Sequence, residues 1–387
     1  MRKMQGLSIQ NKIDTYIAFA VGIQSLLAIL EHILLDMFYV GEESVTSFRV
    51  VLTMCTMVPA IVLSAIRKPV LFIVTYVVVF IILVITILLY PANQRFIVDE
   101  GFRFLLPMSI PSCLCVIAIR NYVIFEKTLY KISITTSVFV IIYCLGYVLG
   151  IIYFKGYSMG FGYACLLPMA LLYSRDNKIS KFISFILLAA VLALGSRGAA
   201  ISFVVYVVLD CIFYDRKHLP FFLGICMIVI LVLPYFIAFL GSMGIESRTL
   251  SMILEGEIVN HDSGRNELYA SIRNGIVNEP FGHGLYGDRV MLDGSYCHNF
   301  FLELFYDLGI IGGGIVCLFV IGFIINVFAK SNRLNKRRLL LFVVVIFVPL
   351  MMSNSFLKDF NFGLLVGVLA SISSLNHKNK SIGIKSA

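Results

Sequence analysis

The sequence predicts an all-α integral membrane protein of about twelve transmembrane helices with one long extracytoplasmic loop. Three observations carry that expectation. Of 387 residues, 59% are hydrophobic and only 14% charged, and the mean hydropathy is +0.94, far outside the range of soluble domains. Apolar runs long enough to cross the hydrocarbon as helices recur from end to end. Basic residues gather in alternate connections between those runs. No hydrophilic stretch is long enough for a separate soluble domain, so residues 1–387 read as a single polytopic membrane domain.

The apolar runs lie near 14–34, 48–66, 69–90, 102–119, 132–153, 157–173, 180–195, 198–214, 219–240, 303–328, 338–357 and 361–375. The first begins too late, runs too long and lacks the small-x-small exit of a cleavable signal peptide. One set of connections carries Arg2, Lys3 and Lys12, then Arg67 and Lys68, then Arg120, Lys127 and Lys131. It continues with Arg175, Lys178 and Lys181, Arg216 and Lys217, the run Lys330 to Arg338, and Lys378, Lys380 and Lys385. Most of the 31 basic residues fall in this set, which places both termini in the cytoplasm. The net charge of +9 is then a topology signal and does not call for nucleic acid. Eight of the nine cysteines lie in apolar runs, where they act as small hydrophobes; Cys297 alone falls in the polar loop, with no disulfide framework and no CxxC pair.

The same parity puts three polar features on the outer face: the turn Gly195-Ser196-Arg197-Gly198, the loop 241–297, and His298 at the outer end of the tenth run. A polar island on a lipid-suited scaffold calls for a function, since the scaffold does not need it. Within the loop, Ser263 and Gly264 can cap a helix from Arg265 to about Val277, with Leu268, Ile272 and Ile276 as a docking stripe and Arg265, Tyr269 and Arg273 on a neighbouring face. Asn278-Glu279-Pro280 stops it. Gly282-x-Gly284-x-x-Gly287 matches a dinucleotide fingerprint as a string, but it follows a proline turn with no βαβ unit, so its glycines are read as letting the loop fold back.

His298 opens a helix, where unsatisfied N–H groups and the positive dipole end would keep the imidazole neutral, the form a general base needs. The bland reading is an interfacial histidine that caps or snorkels. Arg197 sits in a tight turn between apolar helices, either as a lipid-phosphate anchor or facing an anionic substrate; Arg265 at a helix start has no local structural motive. Two arginines near two helix starts make a pyrophosphate site. Glu303 lies roughly 140° around the helix from His298 at 3.6 residues per turn, a poor orienting partner that could reach an acceptor sugar. Asp307 follows it by four residues, and no outer cluster has metal-ligand spacing. Lys358 and Asp359 are plausible supporting residues, and Glu31, His32 and Asp36 read as interfacial.

Three motifs together resemble the O-antigen ligase and polysaccharide polymerase superfamily of bacterial envelopes: Ser196-Arg197-Gly198-Ala199, Ser263-Gly264-Arg265 in the long loop, and His298-Asn299-x-x-Leu302 leading to Gly309-x-x-Gly312. The resemblance implies a GT-C-like fold in the bacterial cytoplasmic membrane and metal-independent, inverting glycosyl transfer on the outer leaflet. The donor would be a polyprenyl-pyrophosphate-linked oligosaccharide and the acceptor a sugar hydroxyl, with no cofactor. By that resemblance His298 is the base and Arg197 and Arg265 hold the pyrophosphate, while Arg273, Asn299, Glu303 and Lys358 serve the acceptor or support the site. Members often carry tryptophan after the loop arginine; this chain offers Tyr269 instead. Polymerase is the wider class and is favoured over ligase for O-antigen, capsular or exopolysaccharide repeat units, with flippase and chain-length regulator proteins as partners. A twelve-span transporter or lipid flippase is the competing reading, weakened by spans almost free of mid-membrane charge apart from Asp210 near one end.

Overall fold

The computed structural model describes residues 2–151, 158–218 and 265–381, with positions 220, 224, 227, 231 and 235 between them. Every regular element among the described residues is helical. The helices are α1 (Arg2–Asp36), α2 (Glu42–Arg67), α3 (Pro69–Leu89), α4 (Pro91–Ala118), α5 (Tyr122–Val148), α6 (Met159–Tyr173), α7 (Lys178–Ala193) and α8 (Arg197–Phe213). After the gap follow α9 (Arg265–Asn278), the short α10 (Gly287–Met291), α11 (Phe300–Lys330), α12 (Arg333–Met352) and α13 (Phe360–Ser381).

A helix lies over each apolar run read from the sequence except 219–240, of which only five positions are described, while the 241–264 part of the loop falls outside the described residues. Six helices (α1 to α5 and α11) are long and apolar enough, by length and composition, to cross a membrane. Helices α6 and α13 are shorter apolar helices, and α12 opens on Arg333, Lys336, Arg337 and Arg338, which shortens its apolar part to 339–352. The observed helices thus give an all-α membrane protein with six such spans among the described residues.

Two boundaries differ from the sequence reading for identifiable reasons. The fifth apolar run was read to begin at 132, yet α5 starts at Tyr122, because the Asn121 side chain accepts from the Val123 N–H and caps the helix. Lys127 and Lys131 therefore stand on a helix and not in a loop. The run read from 102 extends back to Pro91, and its middle, Ile97–Ser109, is wound as a π-helix containing Pro107. Proline lacks an N–H and cannot join the tighter ladder, and wide turns are one way a helix absorbs it.

The chain divides into two compact units, each assembled from two separated segments. One comprises Met1–Ala60 and Asn121–His261; in it α1 packs along α5, and α6 packs on α1, α5, α7 and α8. Glu31 pairs with Arg49, Tyr143 donates to the Asp36 carboxylate at 2.8 Å, and His32 Nε2 lies 3.4 Å from Ser158 Oγ. The three polar residues near the end of α1 thus tie α1 to α2, to α5 and to the start of α6. The other unit comprises Ile61–Arg120 and Asp262–Ala387, and α13 packs along the second half of α4, where Ser112 Oγ donates to the Phe360 carbonyl at 2.9 Å. That unit carries the described part of the loop, 265–297, and His298.

Candidate functional site

The site begins with the end of α12. The last four carbonyls of any helix lack an intrahelical partner and must find one elsewhere. Here three consecutive carbonyls are taken by side chains of the polar loop. Asn299 Nδ2 donates to Met351 O (3.2 Å), Arg265 Nη1 donates to Met352 O (2.5 Å), and His298 Nδ1 lies 2.9 Å from Ser353 O. The Tyr296 hydroxyl also donates to Ser353 O, at 3.2 Å. One helix terminus thereby gathers Arg265, His298 and Asn299 from separated stretches of sequence.

The Ser353 carbonyl can only accept, so Nδ1 must carry the proton of the neutral imidazole, and Nε2 is left as the basic nitrogen. His298 also has a positive φ of 55° and lies 4.1 Å from Tyr296, ring centre to ring centre. A non-glycine residue in that region is strained unless its surroundings fix it. The imidazole pKa is lowered, chiefly by burial, with Arg265 and Arg289 lowering it further; Ser353 and Asp288 oppose the shift.

The direction agrees with the sequence reading and the cause does not. Helix α11 starts at Phe300, and its N-cap is Asn299, whose Oδ1 accepts from Phe301 N (3.0 Å) and Leu302 N (3.2 Å). His298 stands one residue outside, so the free N–H groups expected to face it are already satisfied by a side chain suited to that role.

Helix α9 docks as its stripe requires. Ile272 is fully buried against Cys297 and Tyr306, with Leu268 and Ile276 alongside. This packing brings Arg265 to the α12 terminus. Arg273 lies two turns further on and donates from Nε to the Tyr269 carbonyl at 3.2 Å. The Ser263-Gly264 cap lies outside the described residues.

The glycine-rich turn is a splice onto α11. That helix is interrupted at Gly309, whose φ of 73° and ψ of 175° suit glycine alone. Ile310 N, which in an unbroken helix would donate to Tyr306 O, donates instead to Pro280 O at 2.9 Å. Tyr306 O and Asp307 O accept from His283 N (3.0 Å) and Gly284 N (2.9 Å). The loop backbone can come this close because Gly282, at φ 91°, has no Cβ to meet the Gly309 backbone. His283, between two of these glycines, is also held, stacked on Tyr306 with ring centroids 4.0 Å apart.

Behind this turn lies a charge cluster that the sequence reading did not single out. Arg289 is fully buried. Its Nη1 donates to Asp288 (2.6 Å) and Glu303 (2.5 Å), its Nη2 to Ser355 Oγ (2.5 Å), and its Nε to Glu100 (3.3 Å). Burial alone would lower its pKa, but Glu303 and Asp288 outweigh it and keep the guanidinium charged. Glu303 accepts further from Ser355 Oγ and Phe356 N, which leaves it buried and committed. Asp307 accepts from the N–H groups of Tyr286, Gly287 and Asp288, and Asp288 accepts from Cys297 N. Lys358, partly exposed, completes the edge with Nζ 3.4 Å from Glu100. The signal available in the sequence was Asp288-Arg289 beside carboxylates at 303 and 307, one helical turn apart on α11.

Asp288, Glu303 and Asp307 are close enough together to have the composition of a cation site. Their oxygens are already engaged by Arg289, Ser355 and backbone N–H groups, so the guanidinium supplies the positive charge here. Cys297, buried beside them, has its thiol pKa pushed up by burial and by Asp288, which disfavours a nucleophilic thiolate.

Arg197, in the other unit, is the first residue of α8. Among the described residues its guanidinium has no hydrogen-bond or ion-pair partner, unlike Arg265 and Arg289. The preceding Ser196 is buried with its hydroxyl unpaired, packed where Gly162 leaves room, and Gly195 takes a φ of 79°. An unpaired arginine at a helix N-terminus is a ready place for an anion. Residues 182–317, which run from α7 to the middle of α11 and include Arg197, Arg265 and His298, match the family model described as O-antigen ligase. No curated protein and no solved structure matches the chain.

Proposed function

We propose that this chain, whose residues 182–317 match the family model described as O-antigen ligase, transfers a glycan from a polyprenyl-pyrophosphate carrier to a sugar hydroxyl on the outer leaflet. The observation that carries the proposal is the setting of His298: Nδ1 is held by the Ser353 carbonyl, Nε2 is left as the acceptor, and Arg265 is anchored one carbonyl away. Nε2 takes the proton of the acceptor hydroxyl as its oxygen attacks the anomeric carbon. The bond from that carbon to the pyrophosphate oxygen breaks, and its electron pair leaves with the phosphate. Arg265, anchored beside the base, neutralises the charge developing there, which is where preorganised donors contribute most; a part for Arg197 in the same task is what the motif resemblance implies. Attack opposite the leaving group inverts the anomeric centre. Arginines supply the positive charge, so the reaction proceeds without a divalent ion.

The reading as a repeat-unit polymerase in the bacterial cytoplasmic membrane follows from the breadth of the superfamily the motifs resemble. Transfer of a finished glycan to a separate acceptor is the second reading, favoured by the description of the matching family itself. A flippase delivering the lipid-linked unit and a chain-length regulator fit the polymerase reading. The test is incubation of the purified protein in lipid with a lipid-linked repeat unit. A ladder of products supports polymerisation, and a single transfer to a lipid or protein acceptor supports ligation. His298→Ala and His298→Gln should bind the donor and lose turnover by about 10²–10⁴, the contribution of a positioned base. No product under any condition, or full activity in both variants, would overturn the proposal.

A further inference from the structure

The Arg289 cluster touches the two segments that meet at His298, and neither the family match nor the sequence motifs give it a task. We propose that Arg289 is a positioning residue: it holds the His298 ring on the Ser353 carbonyl by clamping the chain on both sides of that hydrogen bond. The inference rests on His298 being the base.

The clamp can be followed atom by atom. On the loop side, Arg289 Nη1 holds Asp288 Oδ1, and Asp288 Oδ2 accepts from Cys297 N at 3.1 Å, which fixes the residue immediately before His298. On the α12 side, Arg289 Nη2 donates to Ser355 Oγ, two residues beyond the carbonyl that holds the imidazole. Glu303 joins the two sides, accepting from Arg289 Nη1, Ser355 Oγ and Phe356 N from the first turn of α11. Nε anchors the guanidinium to Glu100 on α4, and its plane lies over the rings of Tyr286 (5.1 Å) and Tyr296 (5.6 Å). Tyr296 in turn contacts the His298 ring.

Removing Arg289 would release four carboxylate or hydroxyl partners at once. The released segments are the ones that hold His298 in a backbone conformation that it does not adopt unaided. A planar five-donor fork can satisfy this set, whereas a lysine ammonium is a point charge that cannot reach all of it. The charged and titratable groups facing the imidazole are Arg265 from α9, Arg289 and Asp288 from α10, and Tyr296 from its own loop. Loss of the clamp exposes the ring, and since burial is the chief cause of its lowered pKa, exposure raises that pKa towards its free value even where a lysine keeps the charge.

The test compares wild type, Arg289→Lys, Ser355→Ala and His298→Ala in lipid nanodiscs, measuring turnover of a lipid-linked repeat unit from pH 5 to 8 and binding of polyprenyl pyrophosphate. Arg289→Lys should lower kcat on the order of 10²-fold, the effect of a base displaced by about 1 Å, with KM for the donor nearly unchanged. The acid limb of its pH profile should move to higher pH. Ser355→Ala removes one arm of the clamp and keeps every charge, so it should move the limb the same way by less. If Arg289→Lys does not fold, Ser355→Ala decides alone. An unmoved acid limb in the folded variants, with activity falling only in proportion to folded protein, makes Arg289 purely structural. Wild-type turnover in His298→Ala would instead sink the assignment of the base, however Arg289 behaves.

Discussion

The acid limb of the wild-type enzyme is a direct measure of the site. A free imidazole is half protonated at its pKa of about 6.5, so an unperturbed base would give half-maximal turnover there. His298 has its pKa lowered by burial, and by Arg265 and Arg289, against the opposing pull of Ser353 and Asp288. The imidazole is therefore mostly neutral at pH 6.5, and turnover there should exceed half the plateau, with the midpoint at lower pH. Stability follows the same sign. The unfolded chain takes up the proton first, so below about pH 6.5 folding is progressively disfavoured until the lowered folded pKa is passed, after which this group adds no further loss. The assay is initial rate on a lipid-linked repeat unit across pH 5 to 8 at saturating donor, with thermal unfolding measured in the same buffers. His298→Gln, which has no ionisable ring, should keep a low rate without that limb. A midpoint at or above 6.5, or the same limb in His298→Gln, would refute the reasoning.

Two further outcomes follow from the geometry. Gly282→Ala should cost on the order of 1–3 kcal/mol for a left-handed alanine, and more for the collision of its Cβ with the Gly309 backbone; the measurement is unfolding midpoint in detergent, and a neutral change would contradict the splice between turn and helix. Chelation of divalent ions should leave turnover unchanged, since arginine nitrogens and backbone N–H groups occupy the carboxylate oxygens of Asp288, Glu303 and Asp307; loss in chelator restored by Mg²⁺ or Mn²⁺ would reopen that cluster as a cation site.

What the sequence conveyed and what it concealed divide along the range of the interactions. Helix α9 was legible almost to the residue, because Leu268, Ile272 and Ile276 recur at local spacing and Asn278-Glu279-Pro280 ends the pattern. The apolar runs were legible because the hydrocarbon imposes a length on each. The start of α5 was missed because an Asn cap and helix-forming lysines extend a helix beyond its apolar part. The Arg289 cluster was missed for a different reason. Its members come from positions 100, 288, 303, 307 and 355, and their pairing exists only after four segments have folded together. Sequence spacing carries no trace of such a set, although an arginine and an aspartate side by side in a loop invite the question of what they pair with.

The partner of His298 belongs to the same category and explains how the site divides its work. A search of the sequence for an orienting group looks for a carboxylate, and Glu303 fails it by lying on the wrong side of the helix; in the fold that carboxylate serves Arg289 and Ser355. The orienting group is a backbone carbonyl left over at the end of α12. A carbonyl fixes the tautomer as a carboxylate would, but brings no full negative charge, so it raises the imidazole pKa far less. Placed beside arginines that suit an anionic donor, a histidine with a carboxylate partner would be pulled towards the protonated form and lose its use as a base. With a carbonyl partner it can be held in orientation and kept neutral together, and the unpaired end of a helix provides that partner without any dedicated side chain.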